Sequence, residues 1–95
     1  MADRITKKHL HRVIHMLNNM FNQDAEAWHR DESGNLRATP GVFVLDCAYG
    51  GYRLSRITSE GGGERDITPR GTARETYDNI RAFMAGVEAA RGQAA

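Results

Sequence analysis

Two stretches with apolar residues at helical spacing lie near opposite ends of the 95-residue chain. The first extends over about residues 6–22, and its apolar residues are Leu10, Val13, Ile14, Leu17, Met20 and Phe21. Residues three or four positions apart share one face of a helix, so this stripe predicts an amphipathic helix with that face in a core. Thr6 is the predicted N-cap, because its hydroxyl can accept a backbone N–H of the first turn.

The second stripe begins after residue 72 and contains Tyr77, Ile80, Phe83, Met84 and Val87. Thr72 and Glu75 have the spacing of a capping box, in which each side chain accepts from the other residue's backbone N–H. Gly92 is the predicted end of this helix, because glycine is common just beyond a helix C-terminus. Each end of the chain therefore supplies one helix that must bury an apolar face.

The middle of the chain has the patterns of strands and turns. Residues 42–47 are mostly apolar and include β-branched valines, so they predict a strand. Residues 52–58 predict a second strand, because Tyr52 and Leu54 alternate with the polar residues Arg53 and Ser55. The intervening Tyr49-Gly50-Gly51 predicts a tight turn in which Gly50 and Gly51 adopt positive φ. Residues 64–68 predict a third strand.

These elements predict an α+β fold in the order α–β–β–β–α. An antiparallel meander has one face to bury, and two amphipathic helices can cover it in a two-layer sandwich. The pattern also allows an extra short hairpin between the regions of Trp28 and Leu36. By length the chain is one domain, residues 1–95, with fraying expected at residues 1–4 and 92–95.

Composition narrows the functional class. A formal net charge of +1 lacks the basic excess usual in nucleic-acid binders. No apolar run approaches the roughly 20 residues that span a membrane, and no signal peptide is apparent. The single cysteine, Cys47, fits a reducing compartment, so we expect a cytoplasmic protein.

Catalytic and metal-binding patterns are weak. His11 and His15 are four residues apart and could reach one metal ion, but the sequence has no HExxH or CxxC motif, so solvent-exposed histidines are the favoured interpretation. Cys47 shares a strand face with Phe43 and Leu45, so we expect it to be buried, and Asp46 points the opposite way. We therefore expect no catalytic residues, no metal and no cofactor.

The polar face of the first helix is strongly basic. At helical spacing five residues, of which the first lies just outside the helix, fall within about 100° of one another: Arg4, Lys8, His11, Arg12 and His15. Cations in a first turn oppose the helix dipole by about 0.3–1 kcal/mol each. The face is either solvated without a partner or a contact surface for phosphates or an acidic protein patch.

A second basic group follows in the sheet and the second helix: Arg53, Arg56, Arg65, Arg70 and Arg74. Arginine near tyrosines such as Tyr49 and Tyr52 suits either protein or nucleic-acid interfaces. Interleaved acidic residues dilute the field of this group.

The element order is also similar to that of the double-stranded RNA-binding domain, although Arg70 and Arg74 are the only basic residues at the start of the second helix. A broader resemblance is carried by the runs from Trp28 to Leu36 and from Leu45 to Tyr52, by the loop at 60–63, and by Thr72, Tyr77, Phe83 and Gly86. In these residues the chain resembles short phage and prophage proteins of unknown function.

That resemblance implies a non-enzymatic phage-type accessory protein that acts in the bacterial cytoplasm and assigns no site residues. We expect it to bind a macromolecule, with protein favoured over nucleic acid because the net charge is near zero. The alternative is a nucleic-acid-binding module that uses the first helix. A homodimer stays open, because small sheets with free edges can pair.

Overall fold

The computed structural model of the protein describes residues 4–23 and 26–94. Its elements, in chain order, are α1 (Lys7–Met20), β1 (Trp28–Arg30), β2 (Leu36–Ala38), β3 (Phe43–Ala48), β4 (Gly51–Ile57), β5 (Glu64–Asp66) and α2 (Ala73–Ala94). The predicted α+β fold is confirmed, and so is the extra hairpin, which is formed by β1 and β2.

The main sheet is an antiparallel meander in which β3 and β5 flank β4. Its first turn is a two-residue loop closed by the Ala48–Gly51 pair. Positive φ occurs at Tyr49 (53°) and Gly50 (73°), so the prediction that Gly51 would share it was wrong. Two consecutive left-handed residues give a turn whose twist matches that of the flanking strands.

Both helices pack on one face of this sheet, α1 over β3 and α2 over β4. Their apolar stripes meet the inward residues of the two strands in one buried cluster, which contains Leu10, Val13, Ile14, Leu17, Phe43, Leu54, Ile80 and Met84. The helices therefore bury the faces that the helical spacing predicts.

A second, smaller cluster holds the β1–β2 hairpin to the main sheet. Ala38, Val42 and Ile57 are buried in it, with Ala27 and Val44 packed alongside. The Trp28 ring lies against the backbone of Gly62, where a Cβ atom would stand only 2.8 Å from Cη2.

Side chains cap the N-terminal end of each helix. At Thr6 the hydroxyl accepts from the N–H of His9, and the imidazole Nδ1 of His9 accepts from the N–H of Thr6. The predicted Thr72–Glu75 capping box is present in the same reciprocal form. Each box satisfies backbone donors that have no partner within the helix.

The second helix ends later than its sequence predicts. It passes through Gly92 and reaches Ala94, so the predicted end at Gly92 was wrong. Arg91 anchors this last turn, because its guanidinium donates to the carbonyl of Met20 at 2.6 Å and lies over the Phe21 ring. Residues 92–94 are helical, and the expected fraying at residues 1–3 and 95 lies outside the described residues.

The molecule is flat, with extents of 51 × 41 × 20 Å. Its radius of gyration of 14.4 Å exceeds the ~12 Å expected for a compact domain of this length. Its accessible surface of 6363 Å² likewise exceeds the ~5,500 Å² expected for its mass. The fold therefore exposes more surface than its size requires.

Candidate functional site

The basic face of α1 is fully available to a partner. All five of its predicted members, Arg4, Lys8, His11, Arg12 and His15, are exposed. Within the described ranges, none of the five makes an ion pair or a side-chain hydrogen bond. The first turn of α1 has no acidic residue to offset these cations.

The structure distributes these side chains around the helix. Arg12 borders a shallow groove toward α2, beside Met16 and Tyr77. Arg4 lies near Gly50 and Tyr52, at the turn of the β3–β4 hairpin.

His11 and His15 border a third groove, which lies between α1 and β3. Its volume is about 320 Å³, and Ile14, Asn18, Ala27 and residues 43–45 complete the lining. Lys8 lies on the crest of the helix between the flanks. The face thus places its two histidines at the outer edge of the sheet.

β3 is the outermost strand of the meander on this side, so half of its backbone groups have no strand partner. In an antiparallel pair, alternate residues direct both backbone polar groups at the neighbouring strand. The tight turn pairs Ala48 with Gly51, and the N–H of Ile57 donates to the Val42 carbonyl, so Val42 and Ala48 direct their backbone groups at β4. Val44 and Asp46 lie at alternate positions between them and do the same. The backbone groups of Phe43, Leu45 and Cys47 therefore point away from β4.

Asn18 closes the first position of this free edge. Its Oδ1 accepts from the N–H of Phe43 at 2.8 Å, and its Nδ2 donates to the Phe43 carbonyl at 3.1 Å. The same Oδ1 accepts from Gln23 Nε2, which also donates to the carbonyl of Gly41. A side-chain amide thus pairs with the strand as a neighbouring backbone would.

The sequence reasoning missed Asn18, which is buried with 1% of its surface exposed. Asn18 follows Ile14 by four residues and so lies at the border of the apolar stripe. A polar residue at that position is the sequence feature that could have indicated its role. Beyond Asn18, the outward groups of Leu45 and Cys47 form an open edge, because no described backbone or side-chain group bonds to them.

Cys47 is exposed, so the prediction that it would be buried was wrong. It lies on the helix-covered face as expected, but at the hairpin end of the edge strand, where neither helix packs against it. A strand at the border of a sheet is covered less completely than a central one.

Most of the second basic group is engaged within the protein. Asp46 forms ion pairs with Arg53 and with Arg70, and Arg53 also reaches Asp66 at 3.2 Å. Burial raises the pKa of Asp46, but hydrogen bonds and charge from Arg53 and Arg70 outweigh it and hold the pKa below its usual value. These two arginines stabilise the sheet face opposite the helices.

Of the other three members, Arg56 and Arg65 are opposite each other on β4 and β5, whereas Arg74 lies on α2. Arg56 is stacked over the Phe21 and Phe43 rings and donates to the Gly41 carbonyl. Arg74 pairs with Asp78 along α2 at 3.8 Å, and Arg65 is exposed. The structure therefore does not gather the five arginines into one surface.

Residues 4–23 and 26–94 also lack the features of a metal centre and of a membrane span. No group of three or more histidine, cysteine or carboxylate side chains is placed to hold a metal ion there. No described helix is both long enough and apolar enough to cross a bilayer.

The fold and the site define the protein by class alone, as a small α+β chain with a basic helix beside an open sheet edge. Comparison with known protein families, curated proteins and solved structures finds no match to this chain.

Proposed function

We propose that this protein is a non-enzymatic binding module, of the phage or prophage accessory type, that recognises another protein through the basic face of α1. One observation carries the proposal: four basic side chains of α1 and that of Arg4, just before the helix, are exposed and lack acidic partners among the described residues. The contrast with Arg53 and Arg70, which both pair with Asp46, strengthens it.

The cost of this arrangement supports a binding role. Lys7 and Lys8 place positive charge at the positive end of the helix dipole, each at about 0.3–1 kcal/mol. A feature that weakens local stability without an intramolecular gain is typical of functional surfaces. Negative charge on a partner would attract Lys7 and Lys8, and this attraction would offset their repulsion by the helix dipole.

The open edge beside the face favours a protein over a nucleic acid. Leu45 and Cys47 offer backbone donors and acceptors together, and another polypeptide carries the matching set. Phosphate oxygens only accept, so they would leave the carbonyls unpaired. Nucleic-acid binding is the alternative, supported by the same exposed basic side chains.

Fluorescence anisotropy with two labelled probes, a polyglutamate peptide and a duplex DNA, separates these functions. At about 50 mM salt the wild-type protein should bind the peptide, and the double variant Lys8→Glu/Arg12→Glu should bind it at least about tenfold more weakly. The matched control is Arg81→Glu, an exposed charge reversal on α2 that should leave binding unchanged.

Three results would overturn the proposal. Undiminished peptide binding by the double variant would remove the α1 face as the site. Binding to DNA but not to the peptide, with a steep loss as salt rises, would establish the nucleic-acid function instead. Absence of binding to both probes would leave the basic face without a role.

A further inference from the structure

We propose that the partner supplies an extended acidic segment that adds as a strand to the free edge of β3, opposite Leu45 and Cys47. This inference rests on the proposed function and specifies the form of the partner. The backbone of β3, the Asn18 contact and the basic side chains beside the groove support this form of partner.

The backbone geometry provides a defined place for an added strand. Phe43 is closed by Asn18, whereas the next two outward residues, Leu45 and Cys47, direct both N–H and C=O away from β4 and have no described partner. Proteins commonly protect such edges with charge, as the Glu-Arg-Asp sequence of β5 does on the far side. The outward positions of β3 carry no such protection, and edges of this kind bind extended peptides through main-chain hydrogen bonds.

The groove determines which side chains the added strand should carry. Alternate side chains of a strand point to opposite faces, so every second one would lie beside His11 and His15, whose imidazole N–H groups can donate to a carboxylate. No carboxylate lines this groove within the described part of the chain, and Asp46 is held on the other face by Arg53 and Arg70. Acidic residues therefore fit the helix side.

The opposite side of the added strand would meet Val44, whose neighbour in the groove is Ala27. Small apolar side chains fit that side, because Val44 already packs against the second apolar cluster. The expected segment therefore alternates acidic and apolar residues.

Charge also distinguishes this occupant from a second copy of the chain. Pairing β3 with β3 of another copy about a two-fold axis would place both α1 helices on the same sheet face, next to each other. The α1 helices of the two copies, each with Lys8 exposed, would then lie side by side. Repulsion between their lysine charges opposes such pairing, whereas an acidic segment is attracted.

The test uses three synthetic heptapeptides and the full chain. The first alternates glutamate and valine, the second replaces each glutamate with lysine, and the third is the glutamate peptide with N-methylated backbone nitrogens. We expect the first to bind, and the other two to bind at least about tenfold more weakly, because they lack complementary charge or backbone donors.

Amide hydrogen exchange followed by NMR reports the location. With saturating glutamate peptide, exchange at Leu45 and Cys47 should slow at least about tenfold. The amides of Val44 and Asp46 serve as internal controls, because they already donate to β4 and should change little.

A proline variant tests the same edge and keeps the hydrogen bonds between β3 and β4. Cys47→Pro removes an outward N–H from an exposed side-chain position, so β4 keeps its hydrogen bonds. It should weaken binding of the glutamate peptide about tenfold, whereas Cys47→Ser should bind as the wild type does. The exchange measurement on the wild-type chain decides the question if the proline variant does not fold.

Each contrary outcome has a distinct meaning. Binding that depends on Lys8 and Arg12 but leaves Leu45 and Cys47 unprotected would overturn strand addition and keep the proposed function. A dimer by light scattering, with both amides protected in the protein alone, would make a second copy the occupant. Failure of the glutamate peptide to bind, with polyglutamate still bound, would likewise overturn this inference alone.

Discussion

Replacement of Asn18 with leucine should markedly lower the free energy of unfolding. Leucine has a similar volume, but it removes both hydrogen bonds to Phe43 and the one from Gln23. Phe43 is 1% exposed, so its N–H and C=O would be left without partners in a buried setting.

The magnitude follows from those two backbone groups. Each buried unsatisfied group costs about 1–3 kcal/mol, and burial of the leucine side chain returns part of that. Gln23 is only partly buried and can turn to water. We therefore expect a loss of about 2–4 kcal/mol, a large part of the roughly 5–15 kcal/mol available to a domain of this kind.

Urea unfolding of wild type, Asn18→Leu and Asn19→Leu would measure the effect. Asn19 is exposed on the same helix, so its variant should differ from wild type by no more than about 0.5 kcal/mol. A loss of less than about 1 kcal/mol for Asn18→Leu would refute the conclusion that this amide completes the edge of the sheet.

Three further changes test other parts of the structure. Because the folded-state pKa of Asp46 is lowered from the usual 3.8, its stabilisation is present above that pH and is lost as pH falls through the lower folded-state pKa. Asp46→Asn should therefore lower stability at neutral pH by about 1–3 kcal/mol and flatten the acid limb of a urea-midpoint titration. An acid limb unchanged in the variant would contradict the ion-pair assignment. Gly50→Ala should cost about 1 kcal/mol by thermal unfolding because φ is 73° there, and an unchanged melting temperature would argue against the turn geometry. Gly62→Ala should displace the Trp28 ring, which is visible as a shift in tryptophan emission, whereas the same change at the open Gly61 should leave emission as it is.

Local patterns predicted the helices and the meander because each is dictated by neighbours in sequence. Helical spacing of apolar residues determined which faces are buried, and the Thr72–Glu75 box determined where α2 begins. The start of α1 was predicted at Thr6, but the partner in its capping box, His9, was not, because that position is usually glutamate or glutamine.

The features that depend on distant residues could not be read from the sequence. Asn18 contacts a strand 25 positions away, and helical spacing alone cannot show which strand lies beside a helix. The exposure of Cys47 depends on β3 being the outer strand, which alternation within a single strand does not reveal. The basic face was predicted as a set of residues, and only the packing of α1 on β3 shows which of them border the open edge.

The contact between Arg91 and Met20 has a consequence for how the chain is made. The carbonyl end of α1 receives this partner from a residue 71 positions later, so the first helix emerges from the ribosome well before the group that closes it. Until residue 91 is synthesised, the Met20 carbonyl lacks this partner, so this contact between the two helices is completed late in translation.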